Sequence, residues 1–137
     1  MKKQRKQKQL KSSVVTGVTA GFLLPNPAVN QQNFDLLTHL VEHPAATYFI
    51  EVQGHSMQEA GIFSGDIIIV DRAKEPKNGQ VVVAVVDGTF TVKYLQIQGG
   101  KQYLVAGNSE YAPILLEEGM NIELWGVVTF VIHSVSS

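Results

Sequence analysis

A serine in a tight turn and a lysine on an apolar strand are the side chains of this sequence best suited to covalent chemistry. Ser56 lies in QGHSM, where one strand pattern ends at Gly54 before another begins. Because glycine adopts backbone angles that other residues disfavour, the amides around Ser56 could converge on one point, as an oxyanion hole requires. The alternative is a turn serine with a structural role, since the G-x-S pattern is common.

Lys93 is the candidate base for that serine. It lies in the apolar run TVKYLQI, and burial there would lower the pKa of its amine from the usual value of about 10.4 towards neutrality. A neutral amine within hydrogen-bond reach of Ser56 would take its proton, giving a Ser-Lys dyad that needs neither histidine nor carboxylate. The alternative is a strand lysine whose ammonium group reaches water.

Histidines offer other arrangements with less support. His39 and His43 are four residues apart on a predicted helix, a spacing that can hold a metal ion, but no further ligands follow in a recognisable pattern. A Ser-His-Asp triad stays open, because its members need not be sequence neighbours, although no G-x-S-x-G turn is found. The sequence has no cysteine, which excludes thiolate nucleophiles and cysteine-built metal centres. We therefore expect neither a metal ion nor another cofactor.

The elements that must position these side chains are mostly β-strands. From residue 47 onwards, runs rich in β-branched and aromatic residues alternate with turn signals. Those runs are TYFIEVQ, DIIIVDR, QVVVAVV, TFTVKYLQI, KQYLVAG and IELWGVVTFVIH. Asp87-Gly88 predicts a type I′ hairpin turn with positive φ at both residues, and Gly99-Gly100 marks the next turn. We predict a mostly β, antiparallel domain over residues 33–137.

Residues 1–32 are predicted to form a flexible, irregular arm, because glycine and proline interrupt every candidate element. The segment FDLLTHLVEHP that follows predicts one short helix, with Asn33 as its N-cap and Pro44 as its stop. Six of the eleven lysines and arginines lie in the first eleven positions, which leaves a formal charge of −7 (five basic and twelve acidic residues) on residues 12–137. The folded part is therefore a poor surface for a phosphate backbone, and the basic run is typical of a solvated tail, although an anionic partner stays open.

Composition and hydropathy favour one cytoplasmic domain. The length of 137 residues suits a single core, and a mean hydropathy of +0.06 with no run of eighteen apolar residues argues against membrane spans. The basic start followed by residues 14–24 imitates a secretory signal peptide. However, glycine and threonine interrupt the apolar stretch, and no small-x-small cleavage pattern follows at the right distance.

Together these segments resemble the LexA/UmuD family of self-cleaving Ser-Lys serine proteases. The resemblance is carried by QGHSM followed by GIFSGDIIIVDR, then VVVAVVDGTFTVKYL and the late strand WGVVTFVI, and it covers about residues 19–132. It implies that Ser56 is the nucleophile and Lys93 the general base. It also implies that Thr91, two residues before the lysine on the same strand face, orients the lysine amine.

The surroundings of the nucleophile leave one question open. His55 and Met57, on either side of Ser56, are candidate contributors to the oxyanion hole. His55 departs from the family pattern, and either its amide helps to form that hole or its ring alters the pH dependence. The basic run at residues 2–11 is a second departure, with no role that the sequence explains.

The resemblance also implies a scissile bond in the arm. The segment VTAGFLLP contains Ala20-Gly21, which resembles the family's cleavage site of a small residue followed by glycine. A small side chain at Ala20 suits a shallow pocket, and Gly21 lets the backbone approach Ser56 closely. The intervening chain is long enough to fold back or to reach a partner subunit.

The short arm and the lack of a preceding DNA-binding domain resemble the family members that serve an error-prone translesion DNA polymerase in the SOS response. This implies a homodimer, a RecA filament on single-stranded DNA as activator, and a UmuC-like Y-family polymerase as partner of the shortened form. Neither membrane contact nor strong direct DNA binding by the folded domain is expected. Two alternatives are a signal-peptidase-like Ser-Lys enzyme, which should carry an apolar anchor, and a non-catalytic β interaction module.

Overall fold

The computed structural model describes residues 26, 27, 29 and 33–136. The chain divides into two units, residues 1–39 and 40–137. The predicted scissile bond at Ala20-Gly21 and the basic run lie outside the described residues. No helix among the described residues has the length and apolar character needed to cross a membrane.

The predicted short helix is confirmed, but its start differs from the prediction. Helix α1 spans Leu36–Leu40. Asp35 Oδ1 accepts a hydrogen bond from the Thr38 amide at 3.2 Å, and Asp35 Oδ2 accepts one from the Thr38 hydroxyl at 2.6 Å. The prediction of Asn33 as N-cap is therefore wrong, because Asp35 supplies the side-chain bonds that begin the helix.

The predicted end of the helix is also wrong. Helix α1 ends at Leu40, before Pro44 is reached. Pro44 instead opens a 3₁₀ turn over Pro44–Ala46, because its fixed φ suits a first helical position and its missing N–H is not needed there. His43 consequently lies between the two elements and not on the helix with His39.

Within residues 33–136, seven antiparallel strands form one sheet in the order β1-β2-β7-β3-β4-β5-β6. Their bounds are β1 Thr47–Glu51, β2 Ile67–Asp71, β3 Val81–Val86, β4 Thr89–Gln98, β5 Lys101–Val105, β6 Ile114–Leu115 and β7 Ile122–Ile132. The prediction of a mostly β, antiparallel fold is confirmed, and each of the six predicted runs contains a strand. Strand β6 was not predicted, because two residues carry no periodic signal.

The β3–β4 hairpin sets the position of the candidate base. Its turn has φ of 50° at Asp87 and 83° at Gly88, which confirms the predicted positive φ at both residues. The resulting register pairs Val82 with Lys93 and Ala84 with Thr91. Since side chains alternate along a strand, Thr91 and Lys93 share one face of β4.

Buried apolar residues form two clusters within residues 40–137. One contains Met57 and Val83, and the other contains Val82 and Leu95. Because Val82 and Val83 are adjacent on β3, their side chains point to opposite faces, and the sheet buries apolar groups on both. Met57, which follows the candidate nucleophile Ser56, is thus part of the first cluster.

Candidate active site

Ser56 lies at a central position of the turn over residues 55–58 that follows β1, which we call the nucleophile turn because it carries the candidate nucleophile. The turn closes through a hydrogen bond of 3.3 Å from the Gln58 amide to the His55 carbonyl. Gly54, with φ of 99°, provides the left-handed residue just before it. Met57 is only 2% exposed and packs in the first cluster, whereas Ser56 is half-buried. The turn is therefore fixed to the interior by Met57, while Ser56 remains accessible.

Three consecutive backbone amides lie at the position of Ser56 in the chain. Among the described residues, the N–H groups of His55, Ser56 and Met57 have no hydrogen-bond acceptor. Unpartnered amides in one turn can bind the negative oxygen of a tetrahedral intermediate. His55 and Met57 could contribute through their backbones, since the Met57 side chain is buried elsewhere and accepts the Gly107 amide at Sδ over 3.1 Å.

The Lys93 amine lies against the Ser56 hydroxyl. Lys93 Nζ is 3.1 Å from Ser56 Oγ, 2.9 Å from Thr91 Oγ1 and 3.2 Å from the Val92 carbonyl oxygen. An ammonium group would donate to all three oxygens. A neutral amine would donate to Thr91 and Val92 and accept the Ser56 proton. The same heavy-atom arrangement thus serves both protonation states.

The surroundings of the lysine favour its neutral form. Burial lowers the pKa of the Lys93 amine, because desolvation disfavours the charged state. Within residues 33–136, no carboxylate forms a salt bridge with Lys93. In this part of the chain, therefore, no ion pair opposes the effect of burial.

A pocket of about 260 Å³ opens beside the serine. Its walls come from the end of β1, the nucleophile turn and the start of β4, and they include Ile50, Val52, Gly54, Ser56, Phe90 and Thr91. Phe90 is 55% exposed, and its ring packs edge-on against Trp125 with the centroids 5.3 Å apart. The pocket is small, mostly apolar and open to solvent at an aromatic side.

A loop between β5 and β6 contacts the nucleophile turn, and this contact was not predicted from the sequence. The Asn108 side-chain amide donates to the His55 carbonyl at 3.0 Å, and the Glu59 amide donates to the Gly107 carbonyl at 2.6 Å. In the sequence, GNS is typical of an ordinary turn. No local signal shows that this turn packs against another turn some fifty positions earlier.

The alternative of a metal-binding pair, His39 and His43 on one helix, does not form, because His43 lies beyond the end of α1. His39 instead contacts the Phe34 ring, with centroids 5.2 Å apart. His43 Nδ1 lies 2.6 Å from Asp71 Oδ2, within a group that also includes Glu42. These side chains have protein partners, since Lys74 Nζ lies 2.9 Å from the Glu42 carboxylate.

A second histidine–aspartate pair lies at the other end of β2. His133 Nδ1 is 2.6 Å from Asp66 Oδ1. Burial on its own would raise the pKa of Asp66, but hydrogen bonds from the Phe63 amide and from His133 bring it below its ordinary value. The pKa of Asp71 is likewise lowered, with burial opposing the bonds from His43 and the Ala73 amide. Both histidine–aspartate pairs are thus explained as structural contacts in which hydrogen bonds offset the burial of a carboxylate.

Known proteins are similar in sequence to this chain over most of its length. Residues 13–129 match the family described as Peptidase S24-like. Protein ImpA from Salmonella typhimurium is 41% identical over 116 residues, which cover 83% of this chain and 77% of ImpA. Protein MucA from Escherichia coli is 35% identical over 113 residues, covering 82% of this chain and 77% of MucA. A LexA repressor from Ectopseudomonas mendocina is 47% identical over 72 residues, or 53% of this chain and 35% of the repressor.

Proposed function

The chain belongs to the Peptidase S24-like family, and on this premise we propose that it is a self-cleaving serine peptidase with Ser56 as nucleophile and Lys93 as general base. Family membership also confirms the resemblance to LexA and UmuD proteins that the sequence indicated. The observation that carries the proposal is the distance of 3.1 Å between Lys93 Nζ and Ser56 Oγ.

The first half of the reaction forms an ester. The neutral Lys93 amine accepts the Ser56 proton as Ser56 Oγ attacks the carbonyl carbon of Ala20. Amides of the nucleophile turn bind the resulting oxyanion. The Lys93 ammonium then gives its proton to the amine of Gly21, which leaves as the peptide bond breaks and an acyl-enzyme remains.

The second half releases the enzyme. Lys93, neutral again, takes a proton from a water molecule that attacks the ester carbonyl. The ester bond to Ser56 Oγ breaks, the serine regains a proton from the lysine, and Ala20 leaves as a new carboxyl terminus. Throughout, Thr91 and the Val92 carbonyl accept hydrogen bonds from the amine, so it need not rotate between steps.

The arm is the proposed substrate, and Ala20-Gly21 the proposed scissile bond. A pocket of about 260 Å³ beside Ser56 has room for the short Ala20 side chain and for neighbouring residues of the arm. Tethering makes the encounter unimolecular and raises the effective concentration of the bond near Ser56.

We further propose the biological role that the family resemblance implies. In this proposal the protein is a UmuD-like homodimer that acts in the SOS response. A RecA filament on single-stranded DNA stimulates its cleavage, and the shortened form is an accessory subunit of a UmuC-like Y-family translesion polymerase. The charge of −7 on residues 12–137 (five basic, twelve acidic) favours protein partners over direct binding of DNA by the folded domain.

Mass spectrometry of the purified protein tests the enzymatic proposal. After incubation at mildly alkaline pH, the wild type should yield a fragment that begins at Gly21, and Ser56→Ala should yield none. Lys93→Ala should slow cleavage by about 100- to 10,000-fold, the usual contribution of a general base. Lys101→Ala, on an exposed strand position, is the matched control and should cleave normally.

The outcomes separate the rival functions. A wild type that stays intact, even with RecA filaments present, would reduce the protein to a non-catalytic β interaction module. Cleavage that survives Ser56→Ala would assign the nucleophile elsewhere. Cleavage that is normal but unaffected by RecA filaments would leave the peptidase in place and remove the proposed activator.

A further inference from the structure

We propose that Asn108 is a positioning residue for the oxyanion side of the active site, an inference that rests on the proposed function of Ser56. Its side chain is held between two backbone groups. The Asn108 amide nitrogen donates to the His55 carbonyl at 3.0 Å, and its oxygen accepts the Glu110 amide at 3.0 Å. With only 6% of the residue exposed, neither bond is readily replaced by water.

The bond to His55 acts on Ser56 through the peptide plane. The His55 carbonyl and the Ser56 N–H belong to one peptide group, which is planar and trans, so the two bonds point in opposite directions. When Asn108 holds the carbonyl, it also fixes the direction of the Ser56 N–H. That N–H has no acceptor among the described residues and is therefore available to an oxyanion.

The turn's own hydrogen bond is a weaker restraint on this peptide. The Gln58 amide reaches the His55 carbonyl at 3.3 Å, beyond the usual range for a strong N–H···O bond, whereas the Asn108 contact is 3.0 Å. We therefore assign the orientation of the 55–56 peptide mainly to Asn108.

Close backbone packing places Asn108 where it can make this contact. The Glu59 amide donates to the Gly107 carbonyl at 2.6 Å. A Cβ atom added at Gly107 would lie 2.9 Å from Ala60 Cβ and 3.3 Å from Met57 Cα. Only a residue without a side chain allows the loop to approach the nucleophile turn so closely, and Asn108 follows directly.

The test compares two substitutions at Asn108 with one at another asparagine. Asn108→Asp keeps the shape and the oxygen that accepts the Glu110 amide, but as a carboxylate it cannot donate to His55. Asn108→Ala removes both bonds. Asn78→Ala is the matched control, since Asn78 Oδ1 accepts the Ile97 amide at 2.6 Å and lies on an exposed loop.

Two rates are measured at a temperature where circular dichroism shows each variant to be folded. One is the rate of self-cleavage as a function of pH. The other is the rate at which a fluorophosphonate labels Ser56, a reaction that does not involve the arm. We expect Asn108→Asp and Asn108→Ala to lower both maximal rates by about 100-fold, the cost of misplacing a reacting group. Asn78→Ala should keep both. In Asn108→Ala the pH midpoint should be unchanged, because the contacts of Lys93 remain.

The outcomes test the positioning role of Asn108 and self-cleavage separately. Equal labelling of wild type and Asn108→Asp would overturn the positioning role, as would a loss of stability with no loss of rate. Asn108→Ala could also shift the pH midpoint of self-cleavage and leave the maximal rate unchanged. The effect would then lie at Lys93, and the positioning role of Asn108 would be overturned. A wild type that is labelled at Ser56 but does not cut its arm would refute self-cleavage, while the labelling rates would still measure the effect of Asn108.

Discussion

The two sides of the proposed active site, Lys93 and Ser56, are held in different ways. Lys93 lies on the β3–β4 hairpin, where a two-residue turn and strand pairing fix Lys93 and Thr91 on one face. Ser56 lies on a turn held by Met57 in the core and by Asn108 from a distant loop. The proposed base is therefore positioned by local structure and the proposed nucleophile by long-range contacts, and substitutions should affect the two sides differently.

The largest effect should come from replacing Lys93, the proposed base, without removing its charge. Lys93→Arg keeps a cation, but guanidinium stays protonated at any accessible pH and cannot accept the Ser56 proton. We expect cleavage to fall by about 100- to 10,000-fold, measured as the first-order rate of arm loss. Lys101→Arg should cleave like the wild type. Appreciable cleavage by Lys93→Arg would show that the amine acts only as a fixed charge.

A smaller effect should follow from forcing the distant loop away from the nucleophile turn. Gly107→Ala introduces a Cβ atom 2.9 Å from Ala60 Cβ, and overpacking of this kind costs about 1–3 kcal/mol. We expect urea denaturation to show that loss, together with a fall in cleavage rate of about 10- to 100-fold as the serine is displaced.

The control for this variant is a second crowded glycine, whose nearest neighbours are residues 70–72 and not the nucleophile turn. A Cβ atom at Gly126 would lie 2.6 Å from Val70 Cγ1, so Gly126→Ala should also lose stability. Under conditions where it is folded, it should keep its cleavage rate. If both variants lost activity equally, general destabilisation would explain the effect, and the two sides would not differ as described.

On the hairpin side, Thr91→Val should have a moderate effect. It removes the acceptor 2.9 Å from Lys93 Nζ while keeping the side-chain shape, and a hydrogen bond of this kind contributes about 1 kcal/mol. We expect the cleavage rate to fall by roughly 5- to 10-fold at that energy. Thr89→Val, at an exposed position of the same strand, should change the rate little. An unchanged rate in Thr91→Val would leave the amine oriented by Val92 alone.

The smallest effect concerns how the free energy of unfolding depends on pH. Burial lowers the pKa of Lys93 in the folded protein, so the unfolded chain binds more protons between that lowered pKa and the ordinary one. In that window the free energy of unfolding of the wild type should rise with pH relative to Lys93→Met. The difference is small because the lysine is only half-buried. Denaturation at several pH values checks its sign, and a difference that falls with rising pH would show that the folded state favours the ammonium.

The sequence predicted what local patterns determine. Asp87-Gly88 and the period of β4 were sufficient to place Lys93 and Thr91 on one face, and Gly54 was sufficient to indicate a special turn at Ser56. The helix cap was missed because Asn33 and Asp35 are both good capping residues. The contact of Asn108 with His55 was missed because it joins segments 53 positions apart, and no spacing rule predicts which two turns will meet.

The histidine–aspartate pairs at the two ends of β2 have a consequence for how that strand aligns. Its run IIIV is apolar throughout, so a slip by one position would place another apolar side chain on each face at little cost. Asp66 precedes the run and Asp71 ends it, and each carboxylate is bonded to a histidine from another segment. A one-residue shift would move both buried carboxylates from their partners at once. These two polar anchors therefore exclude a misalignment that the hydrophobic pattern would tolerate.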